Sequence, residues 1–519
     1  MGETRQSLGY KGRLLYNWPE GYCEEELRFR SAEQFGADPY DVIVVGAGVV
    51  GCGLAYRLSR YKLRVLVIDQ CHDVSEATSK ANSAIVHTGF DATPGSLESK
   101  LVTSASRMWP EMATKLRIPF KQTSAILLAI DDEQDHILPK LYKKALENGV
   151  EDVEMLSAEQ VRAMEPNVSD EVRSGLLVHR ESIADPFTTS VAYAEVALEN
   201  GVDFVLGVRV SAVEDAGERL KAVVCEGHRF AGRIVVNAAG LGSWYLAKTY
   251  GGADFHINPR RGEFLIFDKL ASGLASRILL PVPTPTTKGI LVSPTIFGNL
   301  LMGPTADDLP LEMTDATDTT PDGLDRVRRG GMKLCPGLSL WPVVATYAGL
   351  RCNCEEGSYI IRANDNIPGV MSVIGIRSTG FTASPALAEH LIEQLAEHCG
   401  LELKIDADAV DSRPMERMPG WWGERPFENP EKTANKPCYG RIICYCEQIS
   451  EGELADAIDS PLKPRTIDAL RRRTRAASGR CQGFNCYIKL AEMLAEKCGI
   501  AMERITKCGP GSEIIAGEI

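Results

Sequence analysis

The sequence predicts an α/β chain with three parts: a doubly wound nucleotide-binding domain, an antiparallel β-sheet domain inserted into it, and a small helical module at the C-terminal end. Three observations predict this. The β-branched run Asp41-Val42-Ile43-Val44-Val45 breaks into glycine and a helical pattern before the next strand. Between 255 and 350, strand-like segments such as Glu263–Phe267 and Leu300–Met302 alternate with turns. Seven of the fifteen cysteines fall in the last 82 residues.

Composition narrows the class. With 519 residues, 44% hydrophobic and 24% charged, the chain matches a globular average and excludes wholesale disorder. A net charge of −13 argues against a general nucleic-acid binder. The longest uncharged runs, 289–306 and 334–350, each hold two prolines and do not read as membrane-spanning helices. The charged first 30 residues show no apolar signal region. The expectation is a soluble cytoplasmic protein, with peripheral attachment to the inner face of a membrane through a partner left open.

Taken in order, residues 1–39 read as an extension without periodicity, and 40–400 as the nucleotide-binding domain with a substrate domain inserted mainly at 100–180 and 255–340. Leu54–Arg60 is helical and Arg64–Ile68 strand-like, giving one β-α-β unit. Phe204–Leu206, Val208–Val210, Ile234–Val236 and Met371–Ile374 add strands. Ala386–Cys399 reads as a closing helix with Ser384 as N-cap and Pro385 at its first position. Residues 401–440 read as a linker, with five prolines after 410. The cysteine module follows at 441–500, then a tail at 501–519.

Gly46-Ala47-Gly48-Val49-Val50-Gly51 sits between the first strand and the helix. Its glycines allow the tight turn, close approach of a pyrophosphate, and close helix–strand packing. The helix N-terminus supplies free N–H groups and partial positive charge to the phosphates. Asp69, 23 residues after Gly46, closes the second strand, where a carboxylate holds ribose hydroxyls and disfavours a 2′-phosphate. FAD and NAD share this Rossmann-type pattern, so the rest of the chain decides between them.

Val235–Ser243 is a second strand-to-small-residue turn, and it resembles the late flavin-contacting segment of FAD oxidoreductases of the D-amino-acid oxidase superfamily. Asn82–Gly89 with Pro94–Leu97 is similar to the loop under the flavin in glycerol-3-phosphate and 2-hydroxyglutarate dehydrogenases. Ala348–Arg351 and Gly375–Thr382 complete the resemblance, which spans about residues 40–395. It implies flavin contacts from Gly46, Gly48, Val50, Gly51, Asp69, Ser79, Asn82, Ser83, Ala239, Gly240, Gly380, Phe381 and Thr382. Oxidising an alcohol needs a base for the hydroxyl proton, and His87 is the candidate. Arg351 matches the arginine that clamps a substrate carboxylate or phosphate. Arg261 and Lys288 are further candidates for an anionic substrate. Arg377 stands where related dehydrogenases carry an acid, and is counted with the substrate cations.

Cys444-Tyr445-Cys446 and Cys481-Gln482-Gly483-Phe484-Asn485-Cys486 form two close pairs. Four thiolates, two per iron, are what a [2Fe–2S] cluster requires; zinc with the same ligands is the alternative. The pattern resembles the bacterioferritin-associated-ferredoxin-type domain. The string from Arg472 to Gly483 resembles the version fused to anaerobic glycerol-3-phosphate dehydrogenase large subunits. The other cysteines, Cys352 and Cys354 included, read as small buried residues. Residues 461–490 carry eight Lys/Arg against Asp468 alone. This surplus reads as stabilising the cluster or docking a partner rather than as a nucleic-acid patch.

The resemblance implies an FAD-dependent dehydrogenase acting on sn-glycerol 3-phosphate, with electrons leaving through the cluster to a partner subunit or quinone pool. A 2-hydroxyglutarate-like or amino-acid substrate is the alternative, and a non-catalytic electron-transfer or assembly subunit the reading from another class.

Overall fold

The run Tyr40–Val45 is the centre of a mixed sheet, and its valines and isoleucine are almost completely buried. In this computed structural model, which describes residues 11–22, 25–284, 288–355, 357–412 and 421–515, it pairs in parallel with Val65–Asp69 on one side and His228–Asn237 on the other. Asp203–Leu206 and Leu14–Tyr16 extend the sheet in parallel beyond Val65–Asp69. Val370–Ile374 pairs in parallel with the end of His228–Asn237, whose beginning continues into the antiparallel hairpin Val210–Gly217 and Leu220–Cys225. Strands buried on both faces account for the uninterrupted β-branched runs.

Three helices, Val49–Leu58, Pro186–Glu199 and Gly380–Cys399, pack together over this sheet. Asp185 caps the second by accepting the N–H groups of Phe187 and Thr188, and Pro186 occupies its first turn. Tyr56 stacks on Tyr193 between the first two, with ring centroids 5.4 Å apart.

The inserted domain is a second sheet in the order Asp307–Asp308, Ile257–Phe267, Leu300–Gly303, Leu291–Pro294, Ile278–Pro281, Ala125–Ala129, Ser174–Val178, Val153–Ser157. Val343–Cys354 pairs along the whole of Ile257–Phe267. The expectation of an antiparallel sheet holds for every pairing but one: Ile278–Pro281 runs parallel to Ala125–Ala129. The C-terminal module is a short hairpin, Ile442–Cys444 with Ile449–Ser450, and helices Glu451–Ile458, Ile467–Thr474 and Tyr487–Cys498 around a core of Leu454, Ile467, Leu470, Leu490 and Leu494. Ser450 and Glu453 form a capping box at its first helix. Among the described residues no helix is long and apolar enough to cross a membrane.

Several local expectations are corrected. The closing helix starts at Gly380 with Thr379 as N-cap, so Pro385 lies inside it. Trp109 braces the first turn of this helix, packing on Phe381 at 5.0 Å and donating its indole N–H to the Thr382 carbonyl at 2.8 Å. The first helix starts at Val49, one turn before the apolar periodicity begins. Within the 1–39 extension, Leu14–Tyr16 is a buried edge strand, and within the 401–440 linker, Pro430–Asn435 is a helix. Residues 1–10, 23–24, 413–420 and 516–519 of the expected extension, linker and tail lie outside the described residues.

Candidate active site and cysteine centre

The glycine turn earns its composition. Gly46 has φ +112°, and a Cβ there would come within 2.4 Å of the Ala238 carbonyl oxygen; a Cβ on Gly51 would lie 1.9 Å from the Gly46 oxygen. The Asp69 carboxylate accepts the N–H of Ala47 at 2.6 Å and of Cys71 at 2.7 Å, tying the turn to the second strand. Burial pushes its pKa above the usual carboxylate value, against those two hydrogen bonds. Ser79 Oγ accepts the Val49 N–H at the helix start, 2.9 Å away.

These groups open into a cavity of about 790 Å³, within the range of ligand and cofactor sites. It runs from Asp69 and Val208–Ser211, past Gly46, Gly48, Val50, Ser79, Asn82, Ser83, Ala239 and Gly240, to Gly262, Phe264, Arg351, Arg377, Gly380 and Phe381. The N-terminus of the Gly380–Cys399 helix faces one end, and its partial positive charge suits an anion there. Backbone donors at two helix starts, a terminal carboxylate and a long partly apolar slot together fit FAD. Of the expected flavin contacts, Gly51 and Thr382 stand behind the wall: Gly51 packs helix on strand, and Thr382 Oγ1 accepts the His87 backbone N–H at 3.0 Å.

The substrate end is set by strand register. Arg351 lies opposite Arg260, Gly349 opposite Gly262, and Tyr347 opposite Phe264. Opposed residues share a face, and Phe264 and Tyr347 stack there with rings 4.6 Å apart. Arg351 is deeply set. Its Nη2 donates to the Thr305 carbonyl at 2.6 Å, and among the described residues no carboxylate pairs with it. Burial and the neighbouring Arg260 charge pull its pKa below the ordinary guanidinium range. Arg260 itself is held by Asp308 at 2.6 and 2.7 Å.

Arg261 does not belong to this group. One residue along the strand, it projects to the other face, 3.5 Å from Glu263 and 3.6 Å from Asp318. Arg377 lines the cavity, but its Nη2 is 2.5 Å from Glu98, whose other oxygen takes the Thr379 hydroxyl at 2.5 Å. Lys288 is bound to Asp91 at 2.6 Å and lies outside the cavity wall. His87 is likewise outside the wall. Its Nδ1 is 3.1 Å from Glu181 Oε2, and Glu181 Oε1 takes the Thr88 N–H and hydroxyl at 2.7 and 3.0 Å. Glu181 is fully buried and Glu98 nearly so. Neither is legible in the sequence, where a single acid carries no periodic or motif signal.

The four cysteines converge as two pairs. The Cys444 and Cys486 thiols hydrogen-bond each other, and so do those of Cys446 and Cys481. The bond to Cys486 brings Cys444 down to about 6. Among the described residues no three His, Cys, Asp or Glu side chains gather closely enough for one metal ion. The two cysteine pairs supply the four thiolates, two per iron, that a binuclear [2Fe–2S] cluster takes. The basic segment beside them is largely internal. Arg472 and Arg473 reach Asp73 at 2.7 Å, Arg475 reaches Glu447 at 3.0 Å, and Arg480 reaches Asp268 at 2.6 Å. Arg472, Arg473 and Arg480 fasten the module to the rest of the chain, and Arg475 ties two of its own segments together.

Comparison with known proteins agrees with this geometry. Residues 41–394 match the family described as FAD dependent oxidoreductase (DAO), and residues 442–496 the BFD-like [2Fe-2S] binding domain. The chain is 36% identical over 480 residues to a glycerol 3-phosphate dehydrogenase of Caloramator mitchellensis, covering 92% of this chain and 98% of that one. It is 23% identical over 499 residues to one of the anaerobic glycerol-3-phosphate dehydrogenase subunits of Escherichia coli, covering 88% of each. The solved structure of dithionite-reduced L-alpha-glycerophosphate oxidase from Mycoplasma pneumoniae with FAD bound superposes with a TM-score of 0.68 at 28% identity, covering 73% of this chain and 99% of that one. With the glycine turn, the long cavity and the paired cysteines already in place, the chain belongs to the FAD dependent oxidoreductase family and carries a C-terminal [2Fe–2S]-binding domain.

Proposed function

We propose that this chain oxidises sn-glycerol 3-phosphate to dihydroxyacetone phosphate and passes the electrons through its cysteine centre to a separate acceptor, a partner subunit or a quinone. Arg351 carries the reading: a partly buried guanidinium facing the cavity, with no carboxylate partner among the described residues, is a cation awaiting an anion. Gly262, where a Cβ would lie 3.1 Å from Arg351 Nη2, lets the guanidinium lie across its strand, and the stacked Phe264 and Tyr347 form an apolar wall. The similarity to a glycerol 3-phosphate dehydrogenase over almost its whole length supports a phosphate rather than a carboxylate.

Bound FAD supplies the acceptor for the hydride from the substrate carbon. The chain's residues bind, orient and take up the proton. Arg351 holds the phosphate by two parallel N–H donors. Glu181 fixes the proton of His87 on Nδ1, which leaves Nε2 as the base for the substrate hydroxyl. His87 stands outside the cavity wall with 23% of its side chain exposed, so this role requires it to turn towards the substrate.

Anaerobic mixing of the holoenzyme with glycerol 3-phosphate, 2-hydroxyglutarate and a panel of amino acids tests the reading. Bleaching of the flavin absorbance by glycerol 3-phosphate is expected. Bleaching by 2-hydroxyglutarate or an amino acid alone would overturn it.

A further inference from the structure

The two cysteine pairs differ in depth. Cys444 and Cys486 are buried, whereas Cys446 and Cys481 are half-exposed, so one end of the centre opens to the surface. Around that end stand side chains that a solvated surface rarely displays together. Tyr445 is 71% exposed, Phe484 90% and Ile488 61%. Tyr445 and Phe484 belong to the cysteine loops themselves. The inserted sheet domain adds Leu270 and Val343, 61% and 43% exposed. Asp268 brings them there: it holds Arg480 at 2.6 Å, accepts the Leu270 N–H at 2.9 Å, and donates its own N–H to Pro342, next to Val343, at 3.1 Å. Exposed apolar side chains gathered around one such contact mark an interaction site.

The charges at its rim lean one way. Lys269, Arg480 and Lys489 keep 42%, 63% and 50% of their side chains exposed. The carboxylates holding the first two, Glu447 and Asp268, lie buried beneath them at 4% and 5%. Glu451, Glu492 and Glu496, around Lys489, are the acidic exceptions. The loop from 480 to 489 contains two cations and no acid. A second copy of this chain would meet the face with the same cations and be repelled.

We infer that this face, centred on Phe484 over the Cys446–Cys481 end, docks a separate one-electron carrier protein whose redox group lies near an apolar surface ringed by carboxylates. The inference rests on the proposed exit of electrons through the cysteine centre and names the chemistry of the acceptor. Oxidation of one alcohol to a ketone releases two electrons and two protons, so each turnover reduces two carriers by one electron each. The cationic rim steers an acidic carrier to the face, and the apolar centre excludes water on contact.

Cytochrome b5, an acidic single-haem carrier, is the probe, and basic cytochrome c the control. Holoenzyme is compared with F484E and L270E by surface plasmon resonance on immobilised cytochrome b5, by substrate-driven cytochrome b5 reduction, and by reduction of the small dye dichlorophenolindophenol. Cytochrome b5 is expected to bind the wild type more weakly as salt rises. Each variant should bind about tenfold more weakly, the size of losing one interface anchor, with dye reduction unchanged. L270E leaves the cysteine loops untouched, so its binding result stands independently of any effect of F484E on the cluster. Failure of cytochrome b5 to bind, equal binding by both variants, or binding of cytochrome c in its place would overturn the docking face. A wild type that binds cytochrome b5 but does not reduce the dye with glycerol 3-phosphate overturns the substrate reading instead.

Discussion

Arg473 grips Asp73 with both terminal nitrogens, Nη1 on one carboxylate oxygen and Nη2 on the other, each at 2.7 Å. The two residues are 400 apart in sequence and their side chains are 0% and 1% exposed. Arg472 adds a third bond to Asp73 at 2.7 Å and reaches Glu76, which lines the cofactor cavity. The cysteine module is therefore fastened to the turn that flanks the cofactor. Removing one partner of a buried pair costs up to about 3–5 kcal/mol when the other charge is left uncompensated, and less here because Arg472 still holds Asp73. R473M should lower the thermal midpoint and expose the linker to protease, while D73N/R473M recovers part of the loss. An unchanged midpoint for R473M would refute this role.

Acid should undo the same contact. Burial alone would raise the Asp73 carboxyl, but Arg473 and Arg472 outweigh it and bring it down to about 2. Because the folded pKa lies below the unfolded value of about 3.9, the pair stabilises fully above pH ~4 and loses that contribution as pH falls towards ~2. The span corresponds to roughly 2–3 kcal/mol. Urea midpoints measured from pH 5 to 2.5 should fall more steeply for wild type than for D73N (pH range set by these pKa values).

The Glu181–His87 pair should act on rate rather than on binding. H87A is expected to lower the rate of anaerobic flavin bleaching by about 10²–10⁴, with flavin content unchanged. Glu181 acts through His87, so E181Q should lower kcat with KM nearly constant, and E181D should restore part of it. An equal rise in KM without loss of kcat in E181Q would make Glu181 a structural residue only.

Arg351 should govern binding of the anion. Truncating one partner of a buried charge-assisted contact costs about 2–5 kcal/mol, so R351M should lose roughly a hundredfold or more in kcat/KM while retaining FAD. R351K keeps the charge but loses the planar fork and should fall between. Wild-type kinetics in R351M would remove the residue that carries the proposed substrate.

How much of this was legible in the sequence depends on the range of the contacts. The glycine turn, Asp69 and the four cysteines announce themselves because their spacing is the chemistry, and the cavity gathers Gly46, Gly48, Val50 and Asp69 as expected. Leu14–Tyr16 went unread because three residues carry no periodicity; its parallel partner lies 190 residues away. Arg261 was misdirected because adjacent residues on a strand face opposite ways, and only the pairing with Val343–Cys354 decides which of Arg260 and Arg261 shares a face with Arg351. The start of the closing helix was misplaced because proline usually marks a first turn, whereas Trp109, far off in sequence, supports the helix around Pro385. Glu98, Glu181 and Asp73 acquire their roles only from partners that folding brings to them.

Gly349 should be intolerant of any side chain. A Cβ there would fall 1.9 Å from the Ala81 carbonyl oxygen, on the loop that forms the cavity floor with Ser79, Asn82 and Ser83. G349A must displace that loop, with an overpacking cost of about 1–3 kcal/mol. The purified variant should contain substoichiometric flavin by absorbance and regain it only at high added FAD. Full occupancy would mean that the loop yields without disturbing the cofactor.

The cysteine centre should be separable from the cofactor site. Cys446 pairs with Cys481 near the surface, and Cys444 with Cys486 beneath them. C446A removes one ligand of four and should lose iron while keeping FAD and flavin bleaching by substrate. Metal affinity in such a module is part of its folding free energy, so C446A should also lower the unfolding midpoint of the module; the FAD domain's midpoint should fall less. Iron analysis of wild type is expected to give two atoms per chain, the count of a binuclear cluster. One zinc atom per chain instead would replace the electron path by a structural site, and dye reduction would then proceed from the flavin alone.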